Sequence, residues 1–220
     1  MKTALVFGSS GLIGSNVLNF LIKNNIYNKV KIFVRSPQSN LNEKVEIIVT
    51  DFLNLNSISS EIKGDDCFFS IGTTKKNSPD KNEYRRIEYN LPVEIAKIAK
   101  DNSVNNFSYV SSVYADHNHS STYLKNKGDV EIFLQSLNFL RLTIMRPSFL
   151  LGDREENRIG ETIGSITLKF LSPVLIGKMR KMRPIKAETV AKAMIKSLNS
   201  DINQKVFESD EIEQLVLNQA

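Results

Sequence analysis

Tyr123 and Lys127 stand four residues apart in the stretch TYLKNKGDVE. If that stretch is helical, the two side chains lie one turn apart on a shared face. A phenol ordinarily titrates at about 10, too high to exchange protons readily at neutral pH. A neighbouring ammonium favours the phenolate and is expected to bring that value down. Just upstream, YVSSVYAD offers Ser111 and Ser112. A serine hydroxyl can hydrogen-bond a substrate oxygen and help hold the charge that develops on it. Together these residues make an acid/base set suited to moving a proton on and off an oxygen. Tyr-x-x-x-Lys arises often by chance, so its meaning depends on what positions it.

The elements around it follow a regular alternation. TALVF is a short apolar run that ends at a glycine, the pattern of a buried strand. In LIGSNVLNFLIK the apolar residues Ile13, Val17, Leu18, Leu21 and Ile22 recur at helical spacing. VKIFV, VEIIV and CFFSI read as strands two to four, and a helix is expected over residues 80–100 with Ile87, Leu91, Ile95, Ile98 and Ala99 on one stripe. FSYVS reads as strand five, the Tyr123 helix follows, and LRLTIMR reads as strand six. Strands apolar on both faces and alternating with helices imply a parallel sheet covered on both sides. Right-handed crossovers make it doubly wound. After Leu151 the pattern loosens into a polar loop, an apolar helix, the amphipathic AETVAKAMIKSL, a short strand at KVFES and a last helix. The expectation is one domain over residues 1–220, with the residues after about 151 as a small cap on the substrate side.

Strand one runs directly into GSSGLIG, with Gly8, Gly11 and Gly14. In a dinucleotide-binding, Rossmann-type fold the first glycine permits the tight turn, the second lets the backbone approach a pyrophosphate, and the third lets the helix pack on the sheet. The helix start then offers unpaired N–H groups and the positive end of its dipole. Sites for NAD place Asp or Glu at the end of strand two to bond the ribose 2′-hydroxyl. This chain has FVRSP there, with Arg35 and Ser36 instead. A guanidinium pairs with a 2′-phosphate and offers a hydroxyl no acceptor. NADP(H) is therefore expected in preference to NAD(H).

These motifs resemble the short-chain dehydrogenase/reductase superfamily in its atypical branch, near the Tat-interacting-protein-like NAD(P)H-binding oxidoreductases. The resemblance is carried by GSSGLIG, VRS, TDF, IGTTK, VSS, YLKNKGDVE, MRPSFLLGDREENR and AETVAKAM. It implies that Gly8, Ser10, Gly11, Leu12, Ile13 and Gly14 form the phosphate loop. Arg35 and Ser36 then meet the adenosine ribose and its phosphate, and Asp51 and Phe52 contact the adenine. Ile71, Gly72, Thr73 and Thr74 run along the cofactor. Tyr123 is the implied acid/base, and Lys127 its partner and a ligand of the nicotinamide ribose. Pro147, Leu150 and Arg158 lie near the nicotinamide. Many relatives use the second serine of such a pair, whereas Ser111 gives the more usual spacing to Tyr123. Ser112 is favoured and both are carried forward. The implied activity is hydride transfer to or from a small carbonyl or alcohol; a homodimer is common in this superfamily. Sugar-nucleotide relatives carry a larger C-terminal substrate domain than this chain has after Leu151. A rival reading is a cofactor-sensing or partner-binding protein that uses the fold without turnover.

The bulk properties fit this reading. The chain has 220 residues, one cysteine and a net charge of +5. A lone Cys67 excludes an internal disulfide and suggests a cytoplasmic setting. No apolar run approaches the roughly 20 residues of a membrane span. The basic run GKMRKMRP comes with no nucleic-acid recognition motif. His117 and His119 lack the further ligands of a zinc site, so no metal is expected. Ile163, Ile166, Phe170 and Leu171 read as packing, and Lys125, Asp129 and Glu131 as solvated positions.

Overall fold

The computed structural model describes residues 1–37, 42–151 and 177–217. Six strands follow one another as expected: β1 (Lys2–Phe7), β2 (Tyr27–Val34), β3 (Val45–Val49), β4 (Asp66–Phe69), β5 (Asn106–Val110) and β6 (Arg141–Arg146). A later strand, β9 (Val206–Glu208), joins the same sheet beside β6. The order is β3-β2-β1-β4-β5-β6-β9, and every pairing is parallel. Strand order reverses between β1 and β4, so the loops leaving their carboxyl ends flank the crevice where ligands of such sheets bind. A separate two-stranded parallel pair joins β7 (Leu150–Leu151) to β8 (Ile185–Lys186).

Period-two alternation divides the core into two layers. Ala4 and Val6 of β1 face α1 (Leu12–Lys23), α5 (Ala187–Leu198) and α6 (Ser209–Leu217), where Val17, Leu21, Val190, Met194 and Ile212 are fully buried. Leu5 and Phe7 face the other layer, with Ile95 and Ala99 of α3 (Leu91–Asp101) and Val130 and Leu134 of α4 (Thr122–Ser136). The Phe7 and Phe33 rings stack at 4.2 Å across neighbouring strands. Helices therefore cover both faces of a Rossmann-type, doubly wound sheet.

The helix expected over residues 80–100 is not uniform. It comprises α2 (Lys81–Arg85), a wider π turn (Arg86–Asn90) and α3. Pro92 explains the widening, because it has no N–H to give the carbonyl four residues back, that of Glu88. Asp80 caps the entry, its carboxylate accepting from the N–H groups of Asn82 and Glu83.

Candidate functional site

The glycine loop has the geometry its spacing demands. Gly8 sits at φ +96°, open to glycine and strained for other residues. Its carbonyl accepts the Gly11 N–H at 2.8 Å. A Cβ on Gly14 would lie 2.0 Å from Gly8 O and 2.7 Å from Ser70 Oγ, so helix, loop and the end of β4 meet at van der Waals contact. Gly11 precedes α1 without any side-chain cap, which leaves first-turn N–H groups of Leu12, Ile13 and Gly14 facing outward. The Ile13 side chain belongs to the core, so only its backbone is available to a ligand. Ser9 Oγ is buried with no hydrogen-bond partner among the described residues, and Ser10 is exposed. An uncapped helix start beside an unpaired hydroxyl fits a bound phosphate.

The other expected cofactor positions line the same carboxyl edge. Arg35 and Ser36 follow the last residue of β2 and are exposed. Asp51 and Phe52 form a tight turn after β3: Asp51 Oδ1 accepts the Leu53 N–H at 2.8 Å, and Phe52 turns through φ 62° to bury its ring. Ile71, Gly72, Thr73 and Thr74 follow β4 and are half-buried. Pro147 is buried after β6, and Leu150 lies half-buried in β7. Arg158 lies outside the described residues, as do Ile163, Ile166, Phe170 and Leu171.

Tyr123 and Lys127 both lie in the opening turns of α4, and the Lys127 Nζ is 5.9 Å from the centre of the Tyr123 ring. Lys127 is buried, with its side chain 5% exposed. It donates to the Tyr109 hydroxyl at 3.2 Å and the Val110 carbonyl at 3.3 Å, and it pairs with Glu88 Oε2 at 3.2 Å. Burial, the largest single influence, lowers the affinity of this amine for its proton, but Glu88, Tyr109 and Tyr123 together more than offset it and hold Lys127 well above the usual lysine value. Burial also raises the phenols of Tyr109 and Tyr84, and both lie close enough to feel the charges of Lys127 and Glu88.

The two serines are in different surroundings. Ser111 is buried and its Oγ donates to Glu131 Oε1 at 2.5 Å. Glu131 is itself held by Arg146 at 2.9 and 2.5 Å, and Arg146 reaches Glu208 at 3.2 Å. Ser112 is half-buried. Glu131 was expected on a solvated face and is only 3% exposed. The reason is that α4 packs its Glu131 side against the end of β6, where Arg146 supplies the counter-charge.

Two further residues at this site escape a reading of local pattern. Glu88 is 1% exposed within the π turn, and its Oε1 accepts the Thr73 N–H at 2.5 Å. It thus touches both the loop after β4 and Lys127. Gly128 lies where α4 meets the loop leading from Ser112. A Cβ there would stand 2.4 Å from Asp116 C and 2.4 Å from His117 N. Alanine gains about 1 kcal/mol of helix propensity over glycine, yet contact that close with backbone costs about 1–3 kcal/mol or more. Gly128→Ala is therefore expected to be net destabilising and to lower the melting temperature by about 2–8 °C. An unchanged melting temperature in a thermal scan would show that the loop yields freely.

Residues 8–201 match the NAD(P)H-binding family. The protein named "Protein FMP52, mitochondrial" of Eremothecium gossypii is 33% identical over 219 residues, covering 97% of this chain and 96% of that one. "Protein HTATIP2" of Rattus norvegicus is 30% identical over 207 residues, covering 90% and 82%. Among solved structures, a UDP-N-acetylglucosamine 4-epimerase from Methanobrevibacter ruminantium superposes with a TM-score of 0.70 at 20% identity, covering 94% of this chain and 75% of that one. Bordetella bronchiseptica WbmH, solved in complex with NAD+, superposes with a TM-score of 0.69 at 14% identity, covering 94% and 75%. At those identities the superpositions speak to the fold. The relatives overturn the cytoplasmic expectation, since several of them are named mitochondrial. A lone cysteine excludes an internal disulfide but does not distinguish one compartment from another. No helix among the described residues is long and apolar enough to cross a membrane.

Proposed function

Because the chain belongs to the NAD(P)H-binding family, we propose that it is an NADPH-dependent oxidoreductase acting on a small carbonyl or alcohol. The observation that carries this reading is Tyr123 beside a charged, buried Lys127, on the helix that follows β5, at the sheet edge that also bears the glycine loop. A reduced nicotinamide bound there would supply the hydride. In reduction, Tyr123 gives its hydroxyl proton to the substrate oxygen as that oxygen gains charge. Ser112 donates a hydrogen bond to the same oxygen, and it is favoured over Ser111 because Ser111 is engaged by Glu131. Lys127 holds the phenol in place and meets the ribose. In oxidation the proton runs the other way. Residues after about 151 form the substrate side of the single domain. The names of the relatives support a mitochondrial setting.

Arg35 supports the choice of NADPH. It is exposed directly after β2, in a stretch where no acid follows the strand. A charge-assisted hydrogen bond contributes about 1.5–3 kcal/mol, so Arg35→Ala is expected to weaken NADPH binding by about 10- to 100-fold. NADH binding should hardly change. Titrating both cofactors by calorimetry checks this, and equal affinities unaffected by the substitution would sink the NADPH preference. Screening carbonyl substrates with saturating NADPH tests the activity. Tight cofactor binding with no turnover of any substrate would favour a cofactor sensor instead.

A further inference from the structure

Lys127 is not a free cation beside a tyrosine; it already has a carboxylate of its own. We propose that Glu88 is a positioning residue that serves as the fixed counter-ion of Lys127 and ties it to the cofactor-side loop at Thr73. This deepens the reading of the site given above and rests on it.

Three observations converge on Glu88. It is 1% exposed, and one of its oxygens accepts the Thr73 N–H while the other faces the Lys127 ammonium at 3.2 Å. Neighbouring Gly72 leaves room for it, since a Cβ at Gly72 would stand 3.2 Å from Glu88 Oε1. The π turn around it sets the carboxylate between the two, and that turn follows from Pro92. A carboxylate this buried is costly unless paired, and its pairing here is spent on one loop and one lysine of the candidate site.

The charges around the pair come from every neighbouring element. The α2 helix and π turn bring Tyr84, Arg85 and Glu88; β5 brings Tyr109; α4 brings Tyr123 itself. Arg85 Nη1 lies 3.3 Å from Asn126 Oδ1, and Asp116 and His117 are exposed on the loop beyond Gly128. Glu88 is therefore the carboxylate in direct contact with the ammonium among the described residues. Two consequences follow. The charge of Lys127 is balanced before any substrate enters, so the lysine of the Tyr123–Lys127 couple holds its proton more firmly than an unpaired buried lysine would. A shift of the Thr73 loop is also transmitted to the lysine through one side chain.

Glu88→Gln tests this. The amide oxygen can still accept from Thr73, but the negative charge is gone. Removing a negative charge makes the first proton leave the couple at lower pH, whichever of the two groups gives it up. The expected shift is about 1 pH unit or more downward, with recovery in Glu88→Asp. It is read by an NMR pH titration of protein labelled at tyrosine Cζ and lysine Nζ, with Tyr123→Phe and Lys127→Met assigning the signals. In turnover, the high-pH limb of the reduction profile moves down by the same amount. A folded Glu88→Gln protein whose titration is unchanged overturns the proposal. If Glu88→Gln is too unstable to titrate, the Glu88→Gln/Lys127→Met double variant decides: regained melting temperature supports the ion pair, and no regain overturns it. The NMR titration needs no substrate, so it stands apart from the question of turnover, which Tyr123→Phe decides.

Discussion

Replacing Tyr123 with phenylalanine is expected to lower kcat for carbonyl reduction by about 100- to 10,000-fold, the usual contribution of a positioned general acid. The substitution removes one oxygen and keeps the ring, whose centre lies 5.9 Å from the Lys127 Nζ. Its packing and the helix that carries it should therefore survive, and cofactor affinity should change little. The loss falls on kcat and kcat/KM together, because the proton is needed only as charge builds on the substrate oxygen. Ser111→Ala and Ser112→Ala make the comparison sharper. Ser112→Ala should weaken catalysis while leaving stability close to wild type. Ser111→Ala should act chiefly on stability, because it leaves a buried Glu131 oxygen without its hydroxyl donor. Steady-state kinetics and thermal melts on the three variants separate these roles. Full activity in Tyr123→Phe would remove the acid/base assignment.

Gly14→Ala is expected to do comparable damage by another route. Its Cβ would fall 2.0 Å from Gly8 O, 2.6 Å from Gly8 C and 2.7 Å from Ser70 Oγ, so α1 must retreat from the sheet. Overpacking of this kind costs about 1–3 kcal/mol and occasionally more, which for a chain of this size lowers the melting temperature by about 2–12 °C. A retreat of α1 also withdraws the first-turn N–H groups from the phosphate, so NADPH and NADH affinities should fall together. Gly11→Ala offers a graded control, because its Cβ would stand 3.0 Å from Gly8 O and a smaller adjustment relieves it. Equal melting temperatures and cofactor affinities for Gly14→Ala and wild type would show that the close contact is dispensable.

Much of this architecture is legible locally. The apolar run of β1, the glycine triplet after it and the helical spacing of Ile13, Val17 and Leu21 each act within a few residues, and six of the seven main-sheet strands follow from such runs. The seventh, β9, is only three residues long, but KVFES still marks it. The π turn is less legible. Only Pro92 signals it, and a proline near a helix start is also compatible with a regular first turn. Glu131 and Glu88 are the hardest to anticipate. A glutamate on a helix is ordinarily solvated, and nothing adjacent in the chain tells that Arg146 and Lys127 wait for these two across the fold.

Sequence alone therefore determined the parallel sheet, the glycine loop, the membership of Tyr123 and Lys127 in one helical turn, and the absence of an acid after β2. These depend on periodicity, on backbone freedom at glycine and on side-chain chemistry, all of which act over short spans of chain. Tertiary structure decided which of two adjacent serines is engaged by Glu131, that Gly128 brings α4 against the loop at Asp116, and that Lys127 is paired with Glu88. Those features depend on residues 11 to 39 positions apart in the chain coming within contact distance, and the charged pairs among them must offset the cost of burial. The spacing of Tyr123 and Lys127 places them on one helical face; the carboxylate that pairs with Lys127 comes from another element.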